Sequence, residues 1–202
     1  MKIAIIQYNA GNVQSVLYAL QRLGINAVVT DDPEEITRAD KVIFPGVGNA
    51  SSAMEHLKKA GLDKVIISLR QPVLGICLGL QLMCSQSEEG DTKCLGIFDV
   101  LVKKFPNSLH NGGHSLFKIP QMGWNTITDL SSPLFQGVKE NSFVYYVHSY
   151  YAELSQKTIA TTEYIIPYSA AMQQDNFYGV QFHSEKSADT GIQIISNFLK
   201  TV

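Results

Sequence analysis

Between Lys2 and Leu82 short apolar runs alternate with stretches whose apolar residues recur at helical spacing, and this restricts the fold more than any other feature. Lys2–Gln7, Ala27–Thr30, Lys41–Phe44 and Val73–Ile76 read as strands. Val13, Val16, Leu17, Leu20 and Leu23 keep helical spacing until Gly24 stops them. Asp32-Pro33-Glu34-Glu35 reads as a helix start, with a cap, a proline in the first turn and acids near the positive end. Met54 and Leu57, then Leu62, Val65, Ile66 and Leu69, mark helical segments separated by Gly61. Such β-α-β alternation implies an α/β fold, a parallel sheet with helices on both faces.

After Cys94 the pattern changes. Leu95–Phe105, Trp124–Ile127, Phe143–His148, Thr158–Thr162, Ser169–Gln173 and Phe177–Phe182 read as short strands, with turns at Asn111-Gly112-Gly113 and Asp175-Asn176. Ile192, Ile195 and Leu199 share one face of a last helix, capped by Asp189 or Thr190. The second half is expected to be β-rich, mostly antiparallel, and curled over the carboxyl ends of the parallel strands, where α/β sheets place their sites. At 202 residues, with no linker or repeat, residues 1–202 are expected to form one domain.

The strand at Val73 runs straight into Gly75-Ile76-Cys77-Leu78-Gly79 and then a helical pattern, the layout of a nucleophile elbow. Cys77 would sit at a helix N-terminus, where unpaired N–H groups and the dipole favour a thiolate and can receive an oxyanion. A buried structural cysteine between packing glycines fits the pentapeptide equally well. Gly179-Val180-Gln181-Phe182-His183-Ser184-Glu185 reads as a strand ending in His-x-Glu. Positions two apart on an extended chain point the same way, so Glu185 can orient His183 as an activated cysteine requires. Taken alone, His-x-Glu also fits an exposed loop. Together the two stretches favour thiol-dependent acyl transfer.

Pro45-Gly46-Val47-Gly48-Asn49 follows a strand and precedes a helix, and it supports three readings. It is a phosphate cradle, a plain tight turn, or an oxyanion strand in which the N–H of Val47 or Gly48 joins that of Leu78. The only tryptophan, Trp124, ends a Pro/Gly-punctuated stretch suited to a core or to a partner surface. Tyr145–Tyr151 is aromatic on both faces, a packed strand in which His148 competes with His183 as a base. His56, His110 and His114 are read as surface residues, and no metal site is expected. A formal charge of −2 gives no electrostatic case for nucleic acid or an acidic membrane surface. Three cysteines (Cys77, Cys84 and Cys94) without C-x-x-C spacing argue against disulfides and structural zinc and for a reducing cytoplasm. No signal peptide or membrane span is read, and no cofactor is expected.

The elbow, the PGVG loop and G-V-Q-F-H-x-E-K together resemble the triad-type (class I) glutamine amidotransferase family. Asn9-Ala10-Gly11-Asn12, Ser87-Glu88-Glu89-Gly90, K-I-P-Q-M-G-W-N and V-H-S-Y-Y bring it nearest to the glutaminase subunits of imidazole glycerol phosphate synthase, of histidine biosynthesis. That resemblance implies a flavodoxin-like three-layer sheet and a catalytic triad of Cys77, His183 and Glu185. It implies oxyanion donors at Leu78 and at Val47 or Gly48. Glutamine would be held by Gly48, Gln81, Glu89 and the backbone of His148, Ser149 and Tyr150. The ammonia released would pass to a (β/α)₈ cyclase subunit facing Asn12, Gln121, Met122, Trp124 and Lys186. The family usually carries proline where this chain has Ser184, so the backbone there gives up some preorganisation. A subunit serving another synthase, or a non-catalytic flavodoxin-like module, are the competing readings.

Overall fold

A computed structural model describes residues 1–9, 12–106, 110–111, 114–115 and 117–202, the side chains of 110–111 and 114–115 excepted. Ala10 and Gly11, the glycines of the expected Asn111-Gly112-Gly113 turn, and the side chains of His110 and His114 lie outside that description.

The first half follows the expected alternation. In order come β1 (Ile3–Ile6), α1 (Val13–Arg22), β2 (Ala27–Thr30), α2 (Pro33–Thr37), β3 (Lys41–Gly46), α3 (Ala50–Lys59), α4 (Leu62–Ser68), β4 (Val73–Cys77) and α5 (Leu78–Met83). Asp32 caps α2, its carboxylate accepting from the Glu34 N–H at 2.9 Å. Gly61, at φ +70°, makes the left-handed break between α3 and α4.

The second half is β-rich. It holds β5 (Gln86–Ser87), β6 (Thr92–Lys93), β7 (Leu101–Lys104), β8 (His110–Asn111), β9 (His114–Ser115), β10 (Gln121–Ile127), β11 (Ser142–His148), β12 (Tyr150–Ala152), β13 (Thr158–Tyr164), β14 (Ile166–Gln174) and β15 (Phe177–Val180), then α6 (Ala188–Lys200). Three expectations need correction. Leu95–Phe105 is a strand only over β7, because residues 95–98 turn back to bond the end of α5 through the Leu82, Met83 and Cys84 carbonyls. The cap of α6 is Ser187 rather than Asp189 or Thr190. β15 is also parallel to β4 and extends the parallel sheet rather than curling over it.

Among the described residues the main sheet has seven strands in the order β13-β14-β15-β4-β3-β1-β2. The five from β2 to β15 are mutually parallel, and β14 and β13 add an antiparallel edge. Read from β2, the parallel order is the flavodoxin-like 2-1-3-4-5 arrangement. Strand alternation builds a core on each face. Ile3, Ile5, Ile43, Leu74, Ile76 and Val180 point to the side covered by α1 and α6. Ala4, Ile6, Val42, Phe44 and Val73 point to the side covered by α3, α4 and α5.

All five parallel strands end on one edge, so the loops after β3, β4 and β15 meet there. Contact distances hold α5 close to the sheet. A methyl on Gly79 would lie 1.9 Å from the Phe44 carbonyl oxygen, and one on Gly75 would lie 2.4 Å from the end of Met83. The glycines of G-I-C-L-G therefore permit the approach of helix to strand that puts Cys77 at the corner. Among the described residues no helix is long and apolar enough to cross a membrane.

Candidate active site

Cys77 ends β4 and stands immediately before α5, with φ +55° and ψ −108°. A non-glycine residue at that φ is strained, and the strain holds the side chain out from a sharp strand-to-helix corner. The surrounding cavity, of about 360 Å³, is lined by Val47 and Gly48 from the loop after β3, by Cys77, Leu78 and Gln81 from the elbow, and by His183 beyond β15. Glu89, the His148–Tyr150 segment and Lys186 complete the wall among the sequence-predicted positions.

His183 is buried, and its Nδ1 lies 2.8 Å from Glu185 Oε1. Burial alone would pull the imidazole down, but hydrogen bonding and charge attraction from the Cys77 sulfur as thiolate and from the Glu185 carboxylate outweigh it and push it up to about 10. Ser184 stands where the family usually carries proline, yet the His183 backbone stays extended at φ −84°, ψ +94°, away from the helical region that a following proline disfavours. Three other bonds hold it there. The His183 N–H donates to the Tyr145 carbonyl at 2.9 Å, while its own carbonyl accepts from the Lys186 N–H at 3.0 Å and the Ser187 hydroxyl at 2.6 Å. One tertiary hydrogen bond and two within the local turn thus stand in for the ring constraint.

The PGVG loop is a poor phosphate cradle. Asn49 caps α3 by accepting from the N–H groups of Ser51 and Ser52, and the Glu89 carboxylate accepts from the Ala50 N–H at 2.7 Å. A carboxylate already occupies the positive end of that helix, so a phosphate would meet repulsion there. Gly48, at φ +110°, faces the Cys77 cavity instead. Tyr8 closes the loop from beneath, donating to the Pro45 carbonyl at 2.8 Å. Sequence reasoning passed over Tyr8, which carries no motif signal.

His148 is not a second base. Its Nδ1 lies 2.7 Å from the Tyr150 carbonyl and its Nε2 lies 3.3 Å from the Tyr168 hydroxyl. Burial lowers its imidazole to about 4, against the Tyr150 bond that raises it. From the ordinary 6.5 down to that value, the unfolded chain takes up a proton that the folded one refuses. Stability present above pH 6.5 is therefore lost as pH falls toward 4, by on the order of 3 kcal/mol in full. We expect His148→Gln to flatten this acid slope, measured as urea-unfolding stability at several pH values across that range. A slope equal to the parent's would refute the assignment.

Of the residues expected to face a partner, Met122 and Trp124 are 65% and 52% exposed on one face of β10, and Lys186 is exposed. Asn12 is half-buried at the start of α1. Gln121 is a correction. It is only 3% exposed, and its side chain points to the opposite face, where Oε1 accepts from the Tyr168 hydroxyl at 2.9 Å. The sequence pattern predicts a strand only from Trp124, but the chain already pairs with β11 from Gln121, and strand alternation sends successive side chains to opposite faces. His56 is half-buried rather than on the surface. Among the described residues no cluster of three or more His, Cys, Asp or Glu could hold a metal ion.

Known proteins resemble this chain along its whole length. The family model described as glutamine amidotransferase class-I matches residues 4–202. A Bacteroides fragilis protein named imidazole glycerol phosphate synthase subunit HisH is 58% identical over 200 residues, covering 99% of this chain and all of the relative. A protein of the same name from Yersinia pseudotuberculosis is 44% identical, again over 99% of this chain and all of the relative. Among solved structures, one described as a glutamine amidotransferase superposes with a TM-score of 0.72 at 15% identity, covering 98% of this chain and 97% of its own. PurLQS from Thermotoga maritima gives 0.71 at 13% identity with the same coverage. At such identities the likeness is one of fold.

Proposed function

The chain belongs to the class-I glutamine amidotransferase family, and from that premise we propose that it is the glutaminase subunit of imidazole glycerol phosphate synthase, in histidine biosynthesis. The observation that carries the chemistry is the strained Cys77 corner sharing one cavity with a His183 already paired to Glu185. Residues 1–202 act as one amidotransferase domain.

Cys77, as thiolate, attacks the side-chain amide carbon of L-glutamine. The N–H of Leu78 and that of Val47 or Gly48 receive the oxyanion. His183 passes its proton to the departing nitrogen, so ammonia leaves and a glutamyl thioester remains. Water, deprotonated by His183, then attacks the thioester and releases glutamate and free Cys77. Glu185 holds Nδ1 and leaves Nε2 to face the reacting atoms. Gln81, Glu89, Gly48 and the His148–Tyr150 backbone hold glutamine. No bound cofactor is needed for these steps.

Ammonia is liberated in the cavity that Lys186 lines, and the exposed Met122 and Trp124 stand on one face of β10, whose partner strand β11 carries Val147 and His148 into that cavity wall. A (β/α)₈ cyclase subunit seated on that face forms a heterodimer in the cytoplasm and uses the ammonia to make imidazole glycerol phosphate and aminoimidazole carboxamide ribotide. The test is to purify the chain with and without that cyclase and follow glutamate release. Glutamine turnover should rise at least about tenfold in the presence of the cyclase and its ribonucleotide substrate. Stimulation by the acceptor subunit of a different synthase, and none by this cyclase, would overturn the assignment.

A further inference from the structure

Gln181 lies one residue beyond β15 and two before His183, and it is fully buried. Its N–H donates to the Ala170 carbonyl at 2.8 Å, which fixes the backbone from which the side chain leaves. A side-chain amide has two ends of opposite polarity, and its neighbours decide which way each faces. Here the decision begins at a backbone carbonyl. The Tyr150 oxygen can only accept, and Gln81 Nε2 donates to it at 2.8 Å. The other proton of that Nε2 goes to Gln181 Oε1 at 3.0 Å. With its oxygen committed, Gln181 turns Nε2 toward Cys77 Sγ, 3.8 Å away. Reversing the Gln181 amide would set two NH₂ groups against each other inside the protein.

The sulfur has a second polar neighbour in the Val147 carbonyl, at 3.9 Å. A thiol can donate to that oxygen, whereas a thiolate is repelled by it. An N–H aimed at the sulfur does the reverse: it stabilises the anion and fixes where it sits. We infer that Gln181 is a hydrogen-bond donor to the Cys77 thiolate, held in that orientation by the relay from the Tyr150 carbonyl through Gln81. This rests on the proposed role of Cys77 as nucleophile and adds a group that sets its position and acidity. Gln81, besides facing glutamine, then acts on the sulfur through Gln181.

The test reads the thiolate directly. Carbamidomethylation of Cys77 by iodoacetamide is followed across pH by peptide mass spectrometry, in the parent chain, Gln181→Met and Gln181→Glu. Cys84 and Cys94 compete little, because both are buried and burial pushes their thiols up. With Gln181→Met the midpoint of the profile should rise by about one pH unit, and the rate below the midpoint should fall about tenfold. Gln181→Glu keeps the side-chain volume and an acceptor for Gln81 but sets a negative charge beside the sulfur, so its midpoint should rise further. In the complex, kcat for glutamine should fall in step while KM stays within about twofold. An unchanged midpoint in either variant, folded by circular dichroism, overturns the inference; Gln181→Glu decides if Gln181→Met does not fold. A shifted midpoint in a complex that never hydrolyses glutamine supports the donor role and counts against the glutaminase reading instead.

Discussion

Cys77→Ser is expected to lower glutamine-dependent synthesis by roughly 10⁴-fold or more, while synthesis from added ammonium salt stays within about twofold. Serine keeps the volume of the side chain and meets the same backbone restriction at φ +55°, so the corner should survive. What disappears is the sulfur, a stronger nucleophile than a hydroxyl oxygen and one that gives up its proton far more readily than a serine hydroxyl does. The Gly46, Gly75 and Gly79 approaches that define the elbow are untouched by the change. Ammonia supplied from solution bypasses the cavity, so the partner's chemistry should continue. The measurement is product formation by the assembled complex with glutamine or with ammonium as nitrogen source. An equal fall in both would show that the chain has no separate glutaminase task.

Glu185→Gln is expected to cost less, roughly 10²- to 10⁴-fold in kcat for glutamine. The carboxylate accepts from His183 Nδ1 at 2.8 Å, which leaves Nε2 unprotonated or proton-donating as each step requires. An amide that turns its NH₂ to Nδ1 imposes the wrong tautomer. The electrostatic part has a definite sign. Burial opposes the imidazolium, whereas Cys77 and Glu185 sustain it up to about pH 10. Removing the Glu185 charge should therefore bring the alkaline limb of the kcat profile to lower pH. A variant with parental kcat and an unmoved alkaline limb would refute the orienting role.

The elements that follow local rules were legible before any coordinates. The parallel strands announced themselves by apolar runs, α2 by Asp32 and Pro33, and the elbow by glycines whose spacing lets a helix lie against a strand. His183 and Glu185 were legible as a pair because side chains two apart on an extended chain share a side. Gln181 obeys the same rule, but its meaning depends on partners supplied by other elements.

Gln121 illustrates the limit. Its neighbours Met122 and Trp124 are exposed, and only the register of β10 against β11 decides that it turns inward to Tyr168. Likewise Ser187, not an acidic residue, heads α6, because the turn after His183 fixes where that helix begins. The order of residues by itself determined the parallel strands, the elbow at Cys77 and the family, since these rest on short-range sterics and side-chain periodicity. Only the tertiary structure decided which imidazole is free to act. His148 and His183 both line the cavity and are buried, but His148 commits Nδ1 to the Tyr150 carbonyl and has Nε2 closed off by the Tyr168 hydroxyl, whereas His183 keeps Nε2 toward the cavity. The Nδ1 bonds of both rings are local, reaching two residues along the chain, but the Tyr168 hydroxyl beside His148 Nε2 comes from another strand, and that contact no local pattern encodes.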